Sequence, residues 1–459
     1  MTLTAARQQP YRTAPGLRFG SDGRTLDRGR CLVDDEGMKA LVTVMPLAGH
    51  VDPITGLVAE LIARGHSVTV YTGSNYCERF AELGATPVRW SAATDFDEED
   101  VAATFPAAGR PGRRGMVAMT KAVFFDTAPG QVHDLGRELD RSPADVIIGD
   151  IMSMGAGCIS ELRRLPWATV NVLPFNSLGK DLAPLAFGLA PARGRLGRMR
   201  DVILWQAFGA ATLPFKRAYN QARIQVGLAT DPRMYGVGLV SPWLVLATGC
   251  PSLERPGAEL PNQIHYVGRL SPSGGKSGST IPPSADPHVI VTQGTHHVEL
   301  TDLIQPAIEG LCELDVSVVA TTGRRGHTDI GVEVPQNAQI VDFLDFRSVL
   351  PAASVFVTNG GWGGVLASLA AGVPLVIAGG DIDKPAIAAW VARAGAGINL
   401  RTGRPKPEAV AAAVREMLAD PAYAERARQI GTELVTLGGA QKSVELLEDL
   451  AETAEPVRR

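Results

Sequence analysis

The chain has 459 residues, enough for about two to four domains. Lysine and arginine total 44 against 48 aspartates and glutamates, a formal charge of −4. So near-neutral a balance excludes a nucleic-acid binder that relies on a broad basic field. The five cysteines (Cys31, Cys77, Cys158, Cys250 and Cys312) lie no closer than about forty residues apart, which excludes a local CxxC zinc or redox motif. Their odd number fits a reducing cytoplasm better than a disulfide framework. No apolar stretch reaches the roughly 18 residues a membrane-spanning helix needs. The run Val202 to Phe215 is broken by Gln206 and Pro214.

Residues 1–37 carry scattered arginine, glycine and proline without apolar periodicity, so a disordered leader is expected. They hold no apolar core of a secretory signal. From Met38 onward the pattern is strand, turn and helix, repeated. Lys39–Met45 is a β-branched apolar run. Pro53–Arg64 has apolar residues at helical spacing and ends at Gly65, as a glycine past a helix C-terminus should. Strands follow at Ser67–Tyr71, Thr86–Trp90, Asp145–Gly149 and Trp167–Val172, with helices near 75–84 and 115–140 between them. This alternation predicts α/β architecture with parallel sheets.

Residues 175–240 are less regular and read as a surface excursion of the first domain, of the kind that lines a pocket. The Gly/Ser/Pro-rich segment Ser271–Asp286 reads as an interdomain linker. A second α/β series begins after it. Its strands are expected at His288–Gln293, Val316–Thr321, Ala338–Val341, Ser354–Thr358 and Pro374–Ala378, with an all-helical end near 406–454. The division is a leader (1–37), an N-terminal Rossmann-like domain (38–270), a linker (271–287) and a C-terminal Rossmann-like domain with terminal helices (288–459). Such sheets bind ligands at the carboxyl ends of their strands.

The first strand runs into Gly49-His50-Val51-Asp52-Pro53, where a dinucleotide fold would carry GxGxxG; no such run occurs in the chain. His50, on the turn before a helix, is placed for general-base work near neutral pH, or else caps that helix. Asp150, at a strand end, could accept the second imidazole N–H of His50, or simply cap the next helix. In the second domain, Asn359-Gly360-Gly361-Trp362-Gly363-Gly364 follows a strand and opens a helix. Glycines there let a phosphate approach free backbone N–H groups, although a packing turn would look the same. His296 and His297 have only Glu299 nearby, so no metal site is expected. His66, His133, His265, His288 and His327 read as structural or surface residues.

These residues together resemble the family 1 glycosyltransferases of the GT-B fold, over roughly residues 38–450. Gly49-His50-Val51-Asp52-Pro53 is similar to the family's GHxxP turn, and Asp150 lies where the family keeps the aspartate that orients that histidine. Asn359 through Val376, with Asp383-Lys384, resembles the donor signature HGGxxSxxEALxxGVPxVxxPxxxDQ. Within it Asn359 replaces the histidine, Gly364 the Ser/Thr, Ala367 the ribose-binding glutamate and Lys384 the final glutamine. With Thr292 to Thr295 upstream, this variant looks like an actinobacterial natural-product subgroup.

The resemblance implies two Rossmann-like domains facing across a cleft. It implies inverting transfer of a hexose from a nucleotide sugar, UDP-glucose type, to a hydroxyl of a hydrophobic small molecule, without a metal or other cofactor. His50 would be the base and Asp150 its orienting partner. Gly294, Thr295, Phe343, Asn359, Gly360, Gly361, Gly363, Gly364, Asp383 and Lys384 would bind the donor, with Phe343 stacking on the base unless it is an ordinary core residue. The protein is expected to be cytoplasmic, a monomer or homodimer, without nucleic-acid partners or stable membrane insertion. Alternatives are a nucleotide-sugar epimerase on the same fold, or a non-catalytic helper that has kept it.

Overall fold

The structure, a computed structural model, describes residues 37–110, 112–175, 181–233, 239–270, 281, 284–294, 299–324, 326–380 and 383–459. Thr295, His296 and His297, nearly all of the leader and most of the linker lie outside the described residues.

Two wholly parallel sheets organise the chain. The first comprises β1 (Lys39–Thr43), β2 (Ser67–Thr72), β3 (Thr86–Arg89), β4 (Val146–Asp150), β5 (Trp167–Asn171), β6 (Leu244–Thr248) and β7 (Ile264–Gly268), in the order β3-β2-β1-β4-β5-β6-β7. The second comprises β8 (His288–Thr292), β9 (Ser317–Thr321), β10 (Ala338–Val341), β11 (Val355–Thr358), β12 (Leu375–Ile377) and β13 (Gly397–Asn399), ordered β10-β9-β8-β11-β12-β13. Strand order reverses between β1 and β4 in one sheet and between β8 and β11 in the other. At those points the crossovers leave in opposite directions and open a crevice at the strand ends.

Both faces of each sheet are covered, which is why the strands read as apolar runs. In β1, Ala40 and Val42 join one core while Leu41 joins the other. In β8, Ile290 faces one layer while Val289 and Val291 face the opposite one.

Four features differ from the sequence expectation. The first helix begins at Ala48, not Pro53, and so includes His50 and carries Pro53 inside it. A carboxylate fifty positions away caps it: Glu98 Oε2 accepts the Ala48 N–H at 2.9 Å. Second, the excursion at 175–240 contains one helix of 32 residues, Gly194–Gln225. Its period was hidden because its apolar residues do not all face the core. Third, β6, β7 and β13 were not foreseen; β13 has three residues and is too short to carry a pattern. Fourth, the terminal helix Gly439–Thr453 returns to the first sheet, where Val444, Leu447 and Leu450 pack with Val42 and Ile54. His66 Nε2 meets Glu448 of that helix at 2.9 Å, a structural role.

Candidate active site

The site grows from the two switch points. β1 and β4 are neighbours, with Thr43 opposite Gly149. The first turn of the helix after β1 therefore lies beside the last residue of β4. His50 Nδ1 is 2.8 Å from Asp150 Oδ1, and Asp150 Oδ2 accepts the Met45 N–H at 3.2 Å. The Asp150 side chain is fully buried, whereas the imidazole keeps 12 % of its surface exposed. Because a carboxylate only accepts, Nδ1 carries the proton and Nε2 keeps its lone pair. Nε2 makes no hydrogen bond among the described residues.

Burial, the largest influence on His50, pushes its pKa down. The charge of Asp150 and its hydrogen bond outweigh this, helped by Asp383 and Glu98, and the net pKa is raised above 6.5. Asp383, whose helix Lys384–Arg393 follows a strand of the second sheet, is one of the smaller contributors to that rise.

Behind the pair lies a buried polar network. Thr43 Oγ1 and Ser153 Oγ are 2.5 Å apart, and Gln131 Oε1 accepts from Ser153 Oγ at 3.3 Å and from the Gly155 N–H at 2.9 Å. Sequence reading missed these residues. They come from a strand, a loop and a helix with no shared spacing.

In the second sheet β8 and β11 are neighbours, with Thr292 opposite Thr358. Gly294 and the turn Asn359–Gly361 therefore emerge side by side. Gly294 has φ +80°, and a Cβ there would lie 3.2 Å from Asn359 Nδ2. Asn359 ties the two strand ends together. Its Nδ2 donates to the Gln293 carbonyl, and its Oδ1 accepts the Gly361 N–H at 3.2 Å. The Gly360 N–H is held by Thr358 Oγ1 at 3.3 Å. Those amide groups, expected to face a phosphate, are thus engaged within the turn.

The helix Trp362–Ala370 begins its own bonding with the Val365 N–H, which reaches the Gly361 carbonyl at 3.0 Å. The N–H groups of Trp362, Gly363 and Gly364 stand ahead of it without intrahelical acceptors. Gly363 is exposed, and a Cβ there would meet nothing within 4 Å.

Trp362 is a further residue the sequence did not single out. Its indole is buried, and Nε1–H donates to Thr248 Oγ1 at the end of β6, 3.0 Å away. Thr248 in turn donates to the Asn171 carbonyl at the end of β5, at 3.0 Å. Asp383 precedes the helix Lys384–Arg393 as its cap residue. Lys384 lies beside the glycine turn, its Cβ 3.7 Å from where a Gly360 Cβ would be. Phe343 follows β10 and is 44 % exposed, so it is not a core residue. Ala367, in the glutamate position of the donor signature, is buried among apolar side chains. No group of side chains among the described residues has the make-up to hold a metal ion.

Comparison with known proteins gives this geometry a family. Residues 305–450 match the erythromycin biosynthesis protein CIII-like C-terminal domain. The chain is 34 % identical over 427 residues to 4'-demethylrebeccamycin synthase of Lentzea aerocolonigenes, covering 90 % of this chain and 100 % of that protein. It is 33 % identical over 427 residues to UDP-glucosyltransferase B1 of Starmerella bombicola, covering 88 % and 95 %. Among solved structures, the glycotransferase of kitacinnamycin superposes with a TM-score of 0.71 at 23 % identity, covering 90 % of this chain and 99 % of that one. CalG4, the calicheamicin glycosyltransferase, does so with a TM-score of 0.66 at 21 % identity, covering 91 % and 100 %. The fold is the one these structures share, two facing Rossmann-like units. The chain belongs to the family 1 nucleotide-sugar-dependent glycosyltransferases of the GT-B fold.

Proposed function

We propose that this glycosyltransferase moves a hexose from a nucleoside diphosphate sugar of the UDP-glucose type to a hydroxyl of a hydrophobic small molecule, with inversion at the anomeric carbon. The observation that carries the proposal is the His50–Asp150 pair, 2.8 Å apart at a switch point, with the other ring nitrogen uncommitted. The acceptor hydroxyl gives its proton to Nε2 as its oxygen bonds to the anomeric carbon. The bond from that carbon to the diphosphate breaks, and the electron pair leaves with the diphosphate. Asp150 stabilises the imidazolium so formed, the role an aspartate plays behind any histidine base.

The leaving diphosphate meets the N–H groups of Trp362, Gly363 and Gly364, where the helix dipole favours negative charge. Gly294, Asn359, Gly360 and Gly361 shape the turn that presents them; Thr295, next in sequence to Gly294, is proposed to join them at the donor. Asp383 accepts hydrogen bonds from sugar hydroxyls, Lys384 holds those hydroxyls or the diphosphate, and Phe343 stacks on the base. Preorganised dipoles of this kind stabilise developing charge, so the reaction is expected to run without a metal. The name of the UDP-glucosyltransferase relative supports the donor class. A cytoplasmic setting is in keeping with free thiols at Cys77, Cys158, Cys250 and Cys312.

The test is a panel of UDP- and dTDP-sugars screened by thermal shift, followed by mass spectrometry of products with polyketide, flavonoid and sterol alcohols. His50→Ala is expected to lower kcat by about 10²–10⁴-fold while donor binding persists. A folded variant with full activity overturns the base assignment. Conversion of the donor alone identifies an epimerase, and nucleotide binding without turnover identifies a helper protein.

A further inference from the structure

The helix Gly194–Gln225 packs Tyr219 and Ala222 into the core of the first domain, yet it leaves a second apolar side uncovered. Leu196, Met199, Ile203, Ala207, Ala210 and Pro214 recur at three- or four-residue spacing and share one side, and every one of them is exposed. Leu196 is 79 % exposed, Met199 57 % and Ile203 60 %. The opposite side, turned toward the protein, holds Asp201, Thr212, Tyr219 and Ala222, all buried. A solvent-facing helix side is ordinarily polar. A run of exposed apolar residues spanning about five helical turns is large enough to mark an interaction surface.

Charge identifies what fits it. Arg193 and Arg195 are exposed at the start of the apolar side, and Arg217 is exposed at its far end. Between Leu182 and Thr230 the only acidic residue is Asp201, which is buried and bound by Arg200 at 2.7 Å. Arg198 has one acidic partner, Asp181, at 2.6 Å. The face is therefore apolar along its length and cationic at both ends. Two copies meeting through it, in either direction, would set arginines against arginines with no carboxylate on the face to offset them. An anionic lipid surface answers both features, because its headgroups meet the arginines while its acyl boundary receives the apolar side chains. No helix among the described residues is long and apolar enough to cross a membrane, so this contact would be peripheral.

We propose that Gly194–Gln225 docks the protein on anionic lipid, lying in the plane of the bilayer surface with Leu196, Met199 and Ile203 inserted. The reading is independent of donor and acceptor chemistry.

The test is co-sedimentation of the full chain with phosphatidylcholine vesicles, with or without phosphatidylglycerol, at low and high salt. The wild-type chain is expected to pellet with the anionic vesicles only, and less at high salt. A double variant, Leu196→Glu with Ile203→Glu, should lower binding by at least about tenfold. Arg193→Gln with Arg195→Gln should weaken it and flatten the salt dependence. Because these positions are exposed, circular dichroism is expected to show unchanged folding. Failure of the wild-type chain to pellet, or pelleting that survives the glutamate substitutions, overturns the proposal. So does a wild-type dimer in light scattering that the glutamate variant converts to monomer, which would make the face a contact between copies.

Discussion

Trp362 Nε1–H donates to Thr248 Oγ1 across 3.0 Å, fastening the first residue of the glycine-turn helix to the end of a strand in the other sheet. Thr248 passes the connection on to the Asn171 carbonyl. The indole also lies edge-on to Trp390, with ring centroids 6.1 Å apart. The turn that presents open N–H groups is therefore positioned partly by the unit that carries His50. Trp362→Phe keeps an aromatic ring and deletes the hydrogen bond, at a cost of about 0.5–1.5 kcal/mol. Thr248→Val should cost a similar amount alone and distinctly less in the Trp362→Phe background. Calorimetric melting of the single and double variants measures this. Fully additive losses would mean that the bond is not made in solution.

The raised pKa of His50 sets a pH dependence. A base must be neutral, so kcat/KM should rise with pH along a limb centred above 6.5. In Asp150→Asn two raising influences vanish while burial, which lowers the pKa, remains. The limb should then move to lower pH and level off at a lower plateau. For stability the sign is reversed. A raised histidine pKa favours the folded protein below the unfolded-state value, and that contribution fades as pH climbs through the folded-state value. A pH–rate profile of both proteins decides the matter, and an unmoved limb in Asp150→Asn would assign it to another group.

Two glycines of the turn should respond oppositely to added bulk. At Gly360, φ is +90° and a Cβ would sit 2.8 Å from Ile377 Cγ2, so Gly360→Ala should destabilise by about 1–3 kcal/mol. At Gly363 a Cβ meets no protein atom within 4 Å, so Gly363→Val should fold normally. It should nonetheless weaken nucleotide-sugar binding by about tenfold or more, because the side chain would occupy the approach to the open N–H groups. Isothermal calorimetry with the donor tests this, and undiminished affinity would remove Gly363 from the diphosphate site.

Phe343 offers an aromatic face that the fold itself leaves 44 % exposed. Phe343→Ala should leave the melting temperature nearly unchanged. Loss of base stacking should reduce nucleotide affinity by about 1–3 kcal/mol. Equal affinity of the variant and the parent for UDP would show that the ring does not meet the base.

Much of this is legible in the residues alone. Apolar runs such as Val146–Ile148 and Val289–Val291 announce strands buried on both faces, and their alternation with helices announces parallel sheets. The glycines of 359–364 mark a strand-to-helix turn open to a ligand. The helix start at Ala48 was not legible, because its cap is Glu98 rather than a neighbour. Nor was the engagement of Asn359 with Gln293, since it depends on β8 and β11 being adjacent.

By itself, then, the order of residues determined what local periodicity and turn chemistry can encode: most strands, several helices, the glycine turn, and the presence of one histidine and one aspartate next to strand ends. Tertiary structure alone decided the 2.8 Å contact of His50 with Asp150, the Trp362–Thr248 tie, the return of the final helix to the first sheet and the outward turn of the apolar side of Gly194–Gln225. These are contacts, or absences of contact, between segments far apart in sequence. Pairing across such distances follows from strand order and from which surfaces are left to cover, and no local pattern records either.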